Sequence, residues 1–210
     1  MTLLEFIVLA GGSLFFIIDP IGCVPAFLAM TPTDTPEQRV RMARLACWVA
    51  TGVLVVFALM GKWIFKFLGI TPPAFQMAGS MVLLIVAVDM LRARRSAVQE
   101  TVAETDVAAR KADVAVAPLA VPMLAGPGAI TTVILLHDKA ANFGQQLALY
   151  GCIGAVMLVC YVVLRLSATG AKWLGPIAMK VMTRLMGLML AAVAFQFMFN
   201  ALKELKGTVF

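Results

Sequence analysis

The sequence is poor in charged residues and contains a single histidine, His137. Asp, Glu, Lys and Arg make up 13% of the 210 residues, whereas about a quarter of an average soluble domain is charged. With one histidine, no Ser-His-Asp set can be assembled on one side of a membrane, and no cluster of His, Cys and carboxylate residues has metal-ligand spacing. The sequence therefore predicts no enzyme, no catalytic residues, no bound metal and no resident cofactor.

Cysteine is also scarce, and its four positions form no CxxC pair: Cys23, Cys47, Cys152 and Cys160. All four lie inside apolar segments, which favours small buried hydrophobic side chains. The alternative, a thiol-redox membrane enzyme, would need cysteines near a water boundary, and none of the predicted outer loops holds one.

Apolar residues are in excess, at 62% of the chain. A globule of this size has too much surface to hide them, so the solvent around its middle must itself be apolar. The net charge of +6 would suggest nucleic acid in a soluble protein, but here the basic residues stand at the ends of apolar segments. We therefore expect a lipid bilayer as partner and no nucleic acid.

A membrane-spanning helix needs roughly 20 mostly apolar residues. Six segments meet or approach this length, so the sequence predicts an all-α integral membrane protein with six transmembrane helices. A polar connector separates the third from the fourth, and a short Gly- and Pro-marked piece, residues 171–179, is expected at an interface. The six segments are residues 3–30, 45–60, 74–91, 116–136, 143–166 and 183–202.

The two halves of the chain resemble each other at an offset of 107 to 110 residues. Three landmarks recur in the same order: Pro20 over Pro127, Lys62-Trp63 over Lys172-Trp173, and Gly79 over Gly187. This pattern predicts a first three-helix repeat at residues 1–92, a polar cytoplasmic connector at 93–114 and a second repeat at 115–210.

The distribution of Lys and Arg indicates an orientation, because cytoplasmic loops carry the excess of these residues. With the N-terminus outside, twelve of the 17 Lys and Arg residues fall on the inner side and five on the outer side. We therefore expect a multi-pass protein of the inner (plasma) membrane with both termini periplasmic. Three helices per half then force the two repeats into opposite orientations.

The first and fourth segments each contain a predicted break. In the first, Asp19, Pro20, Gly22 and Pro25 combine a carboxylate with two prolines and a glycine, which removes helical hydrogen bonds and permits an unwound turn. The half-helix that follows would direct free N–H groups and its positive dipole end at the break. The alternative is a proline kink with Asp19 reaching the interface.

The second break contains Gly126, Pro127 and Gly128, followed by two hydroxyl residues, Thr131 and Thr132. The glycines would let the backbone approach a ligand closely. A structural packing turn is the alternative. Two breaks at matching positions are typical of transporter binding sites near the bilayer midplane.

Together the motifs DPIGCVPAFLAMTP, residues 19–32, and PLAVPMLAGPGAITTVILL, residues 118–136, resemble the MarC family, also described as six-helix, SnatA-like neutral amino acid transporters. The resemblance covers essentially the whole chain. It implies a bacterial or archaeal secondary transporter of small neutral amino acids such as glycine and alanine, with Na⁺ or H⁺ as candidate coupling ions.

For this function we expect the substrate, a small zwitterion, between the two broken helices. Its carboxylate would meet the N–H groups of one half-helix, and its ammonium would meet Asp19 or the free carbonyls of the other. A purely capping role for Asp19 is the alternative at that position. Export of other small metabolites or drugs is the alternative function, and oligomeric assembly is left open.

Overall fold

A computed structural model describes residues 1–31, 34–92, 115–170 and 176–209, and every regular element in these ranges is helical. The predicted all-α class is confirmed for them. The helices are α1 (Leu3–Ile18), α2 (Cys23–Met30), α3 (Pro36–Leu68), α4 (Pro72–Leu91), the π-helical segment π1 (Ala115–Leu124), α5 (Pro127–Lys139), α6 (Phe143–Gly170) and α7 (Pro176–Val209).

Four of these helices are long and apolar enough to cross a membrane: α3, α4, α6 and the Thr183–Leu205 part of α7. A fifth candidate is the pair α1 and α2, which are bent by 41° at their junction. The predicted fourth span appears as π1 and α5, of 10 and 13 residues, and neither piece alone has the length of a span. The described helices therefore support four to five spans rather than the six expected.

Helix ends follow capping signals rather than the limits of the apolar runs. The 33-residue α3 begins with a capping box in which Thr35 and Gln38 bond each other's backbone N–H groups. It ends at Gly69, whose φ of 65° is left-handed. The helix is thus longer at both ends than the predicted segment 45–60.

The short piece expected at an interface is partly a continuation of the last helix. Residues 176–179 form the first turn of α7 and precede its apolar part, Thr183–Leu205, so their expected interfacial position stays a prediction. A proline at the first position of a helix is favourable, because its missing N–H would have no helical partner there. Residues 171–175, with the Lys172-Trp173 landmark, and the connector 93–114 lie outside the described residues.

Apolar stripes at helical spacing build the core. On α1, Phe6, Ala10, Leu14 and Ile18 are at most 2% exposed and recur every four residues, and α1 packs along α6. The stripe of α3 packs against α6, α5 and π1. A smaller cluster joins α2, α4 and α7, and α4 and α7 form the most extensive helix pair in the structure.

All four cysteines are free and buried, which confirms their predicted role as small core side chains. Large apolar side chains, by contrast, cover the outside of the bundle. Phe67 is 91% exposed, Phe16 81% and Trp63 73%. Such a surface is stable only against lipid, so these helices turn apolar faces to a bilayer.

A buried arginine fixes the end of the short helix α2. Arg39, on the first turn of α3, is 7% exposed, and its Nε and Nη2 donate to the Thr31 carbonyl at 3.0 and 2.6 Å. The Thr31 hydroxyl donates to Phe27 O at 2.8 Å. A cation at a helix C-terminus is favourable because the carbonyl groups there carry partial negative charge.

We predict that Arg39→Met lowers the free energy of unfolding in detergent by about 2 kcal/mol, because hydrogen bonds to a charged group contribute about 1.5 to 3 kcal/mol. Arg41→Met is the matched control, since it removes the same charge from an exposed side chain two residues further along α3. SDS-titration unfolding curves measure both variants. Equal effects of the two substitutions would contradict the capping role of Arg39.

Candidate functional site

The first break spans residues 19–22, where the predicted interruption is present. Asp19 is left-handed, with φ of 45°, and its Oδ1 accepts a hydrogen bond from the Gly22 N–H at 3.0 Å. A Cβ on Gly22 would collide with Asp19 Oδ2. Gly22 therefore leaves space for the Asp19 carboxylate to fold back over the turn.

The backbone donors at the start of α2 are already used. Besides Gly22, Cys23 N–H donates to Asp19 O and Val24 N–H donates to Ile21 O, each at 3.1 Å. The next residue, Pro25, has no N–H. The free donors expected at this half-helix are therefore occupied in the structure, and the Asp19 carboxylate bonds the N–H of Gly22, the residue before α2.

The second break lies at Ala125 and Gly126, between π1 and α5. The Ala125 N–H donates to Ala120 O at 2.8 Å, five residues back, as in a π-helix. Gly126 is extended, with φ of −72° and ψ of 167°, and α5 begins with Pro127. A Cβ on Gly126 would lie 2.6 Å from Pro122 O, so only glycine fits this turn.

The second break differs from the first in its unused donors. Gly126 has no side chain to cap α5, and within the described part of the chain the N–H groups of Gly128 and Ala129 have no acceptor. Both residues are buried, with Ala129 2% exposed. The positive end of the α5 dipole adds to this local field. The geometry therefore presents two N–H donors, inside protein, to an anionic or carbonyl group.

The two breaks lie close together around Gly128. A Cβ there would be 3.0 Å from Phe197 Cζ on α7 and 3.4 Å from Ile17 Cγ2 on α1. Ile17 lies two residues before Asp19, so the end of α1 reaches the start of α5. The packing at this point leaves little room.

The other predicted site residues have different surroundings. Pro20 is buried and Pro25 half-buried beside the first break. Thr131 is 3% exposed, and its hydroxyl donates to Pro127 O at 2.7 Å, which leaves its oxygen lone pairs as acceptors. Thr132 is half-buried. Asp19 itself is exposed.

Two residues of this neighbourhood were missed as site residues by sequence reasoning. Gly79 on α4 packs against Pro127, and a Cβ on Gly79 would lie 2.5 Å from Pro127 Cγ. Its recurrence in the repeat was the available signal. Phe197 closes the site from α7, and no local pattern distinguishes it from the other apolar residues of that helix.

A separate cleft of about 130 Å³ lies at the far end of α5, between α5 and α3. It includes the Lys62–Asp138 ion pair, whose Nζ to Oδ1 distance is 2.7 Å. His137 lines the same cleft and is half-buried on the last turn of α5, with its ring centroid 6.4 Å from that of Tyr150. Both side chains of the pair are mostly exposed, so it contributes little to stability.

The sequence profile of one family, described as "MarC family integral membrane protein", matches residues 4–206. A UPF0056 membrane protein of Methanocaldococcus jannaschii is 33% identical over 200 residues, covering 95% of this chain and 97% of that protein. A UPF0056 membrane protein of Pyrococcus abyssi is 37% identical over 202 residues, covering 96% of each chain.

In Bacillus subtilis, the UPF0056 membrane protein YvbG is 37% identical over 191 residues, covering 90% of each chain. The names of these three relatives state that they are membrane proteins and say nothing of what they bind. No solved structure is significantly similar to the chain.

We predict that Asp19→Asn keeps the free energy of unfolding within a few tenths of a kcal/mol, because Asn accepts the same hydrogen bond and tolerates the left-handed conformation. Asp19→Ala should lower it by about 2 kcal/mol, since it removes the cap and strains the backbone. Unfolding curves in detergent measure both. Equal destabilisation by the two substitutions would mean that the charge, not the cap, matters.

We predict that Gly79→Ala lowers the free energy of unfolding by about 1 to 3 kcal/mol, because the proline ring of Pro127 cannot move aside without a backbone shift. Gly52→Ala on α3 is the control. Its Cβ would meet nothing within 4 Å, so the better helix propensity of Ala should raise stability by about 1 kcal/mol. If both substitutions changed the free energy of unfolding in the same direction, the close packing at Gly79 would be refuted.

Proposed function

The chain belongs to the MarC family of integral membrane proteins, and on that basis we propose that it is a secondary transporter of small neutral amino acids such as glycine and alanine. The observation that carries the proposal is the second break. There a helix begins inside the protein with two buried N–H groups that lack acceptors within the described residues. A substrate group can accept hydrogen bonds from these N–H groups in one conformation of the protein and be released from them in another. Such reversible binding fits transport better than catalysis.

A carboxylate is the group that suits these donors best. It accepts hydrogen bonds from both N–H groups at once, and its negative charge faces the positive end of the α5 dipole. Gly128 has no Cβ, so a carboxylate can approach its N–H closely. Helix termini of broken helices bind the carboxylate of amino acids in other transporter folds in the same way.

The walls of the site favour a small substrate. Phe197 and Ile17 lie at contact distance from the Cβ position of Gly128, so a bulky side chain would collide with them. Glycine and alanine demand the least displacement of these walls. Thr131, with its free lone pairs, and Thr132 lie on the first turns of α5 as further polar contacts.

We further propose six spans in two inverted repeats, with residues 1–92 and 115–210 as the halves. In this arrangement α1 with α2 and π1 with α5 are the broken first helices of each half, consistent with an interruption in both. The twelve-to-five division of Lys and Arg supports periplasmic termini in an inner membrane.

Uptake into proteoliposomes tests the function. We expect accumulation of radiolabelled glycine and alanine under an imposed Na⁺ or H⁺ gradient, and the effective gradient identifies the coupling ion. Gly128→Ala should lower uptake at least tenfold, because its methyl group covers the N–H donors and meets Phe197. Gly12→Ala, with nothing within 4 Å of its Cβ, should leave uptake unchanged.

Two further arms of the experiment separate the alternatives. Asp19→Asn should retain uptake if Asp19 is only a cap. A marked loss of uptake would mean that the Asp19 charge contributes to binding of the substrate or the coupling ion. Wild-type vesicles that move hydrophobic drugs but not amino acids would replace the proposal with export of other solutes.

A further inference from the structure

One buried polar atom in the structure has no role in the fold. Among the described residues, the side-chain oxygen Oε1 of Gln76 is buried and has no hydrogen-bond partner. A buried polar atom without a partner costs free energy relative to a paired one, so its presence needs an explanation. By contrast, Gln196 on α7 is exposed, and its Nε2 donates to Asn200 Oδ1 at 2.9 Å.

Gln76 lies on α4, one helical turn before the glycine that packs against the start of α5. It precedes Gly79 by three residues, so the two occupy one face of the helix. That face approaches the start of α5, because Gly79 packs against Pro127. Gln76 is therefore about one helical turn along α4 from the contact between Gly79 and Pro127. Pro127 directly precedes the two residues with unpaired N–H groups, Gly128 and Ala129.

The surroundings of Gln76 hold α4 in this orientation. Its neighbour Phe75 packs against two aromatic rings of α3, with centroids 5.2 Å from Phe65 and 6.1 Å from Phe57. One turn further on, the Ser80 hydroxyl is already bonded to Met77 O at 2.7 Å. The Ser80 hydroxyl therefore donates to the backbone and not to Gln76 Oε1.

Two unpaired donors at the start of α5 and one unpaired acceptor on α4, the helix that packs against that start, form the complement of a zwitterion. We propose that Gln76 Oε1 accepts a hydrogen bond from the ammonium group of the amino acid whose carboxylate binds the N–H groups of Gly128 and Ala129. The inference rests on the proposed transport function and adds a specificity residue to its site. A neutral amide accepts from the ammonium without adding charge, which matches a substrate of zero net charge.

This assignment has a consequence for selectivity. A site with a buried acceptor strongly rejects an analogue that lacks the donor, because the acceptor then stays unpaired. Gln76 would therefore distinguish alanine from propionate, which has the same carboxylate and methyl group but no ammonium. A merely structural glutamine would not change this ratio.

The test is equilibrium binding of alanine, glycine and propionate to the purified full-length protein. For Gln76→Leu we expect the Kd of alanine to rise at least tenfold, with the alanine-to-propionate preference falling by a similar factor. Thermal stability should stay equal or rise, since an unpaired polar group is removed. Gln196→Leu is the matched control and should keep both the Kd and the preference.

Two further variants keep the test decisive if Gln76→Leu folds poorly. Gln76→Met preserves the length of the side chain without its acceptor and should behave like Leu, whereas Gln76→Glu keeps an acceptor oxygen and should bind alanine within a few-fold of wild type. A wild-type protein that binds neither amino acid overturns the transport proposal itself. If the Leu and Met variants bind alanine as the wild type does, with an unchanged alanine-to-propionate preference, the role of Gln76 is overturned. The same holds if these variants lose only the Na⁺ dependence of alanine binding.

Discussion

Every backbone N–H and C=O group in an apolar solvent needs a partner, and this constraint governs the structure more than any side-chain contact. Unbroken helices meet it automatically, so only the breaks at residues 19–22 and 125–126 have to be explained. The first break meets it internally, through Asp19 and the turn that follows. The second leaves the donors of Gly128 and Ala129 without an acceptor in the described structure, and this difference makes it the better candidate for a ligand site.

The positions of both breaks could be predicted from sequence because proline and glycine act locally. Pro20 and Pro127 remove helical hydrogen bonds wherever they stand, so no tertiary information was needed. The difference between the two breaks could not be predicted. It depends on the left-handed turn that brings the Asp19 carboxylate onto Gly22, and on the absence of any comparable side chain at Gly126.

The number of spans and the walls of the site were harder to predict for a different reason. Hydropathy treats residues 116–136 as one apolar segment, but the structure divides them into π1 and α5, and α3 extends well beyond its apolar run because capping residues set its ends. Gly79 and Phe197 reach the second break from distant parts of the chain. Contacts of this kind depend on how helices pack, which no local spacing records.

The two half-helices are also held by different contacts. Helix α2 is fixed at its start by the turn at Asp19 and at its end by the buried guanidinium of Arg39. At the start of α5, Ile130 N–H bonds Gly126 O at 2.9 Å, Pro127 packs against Gly79, and Gly128 lies near the end of the Phe197 side chain. Rotation of a phenylalanine side chain breaks no hydrogen bond, whereas displacing α2 would break several. A ligand at the first break would therefore have to displace hydrogen bonds that the protein already makes, whereas one at the second break has to displace only a phenylalanine side chain.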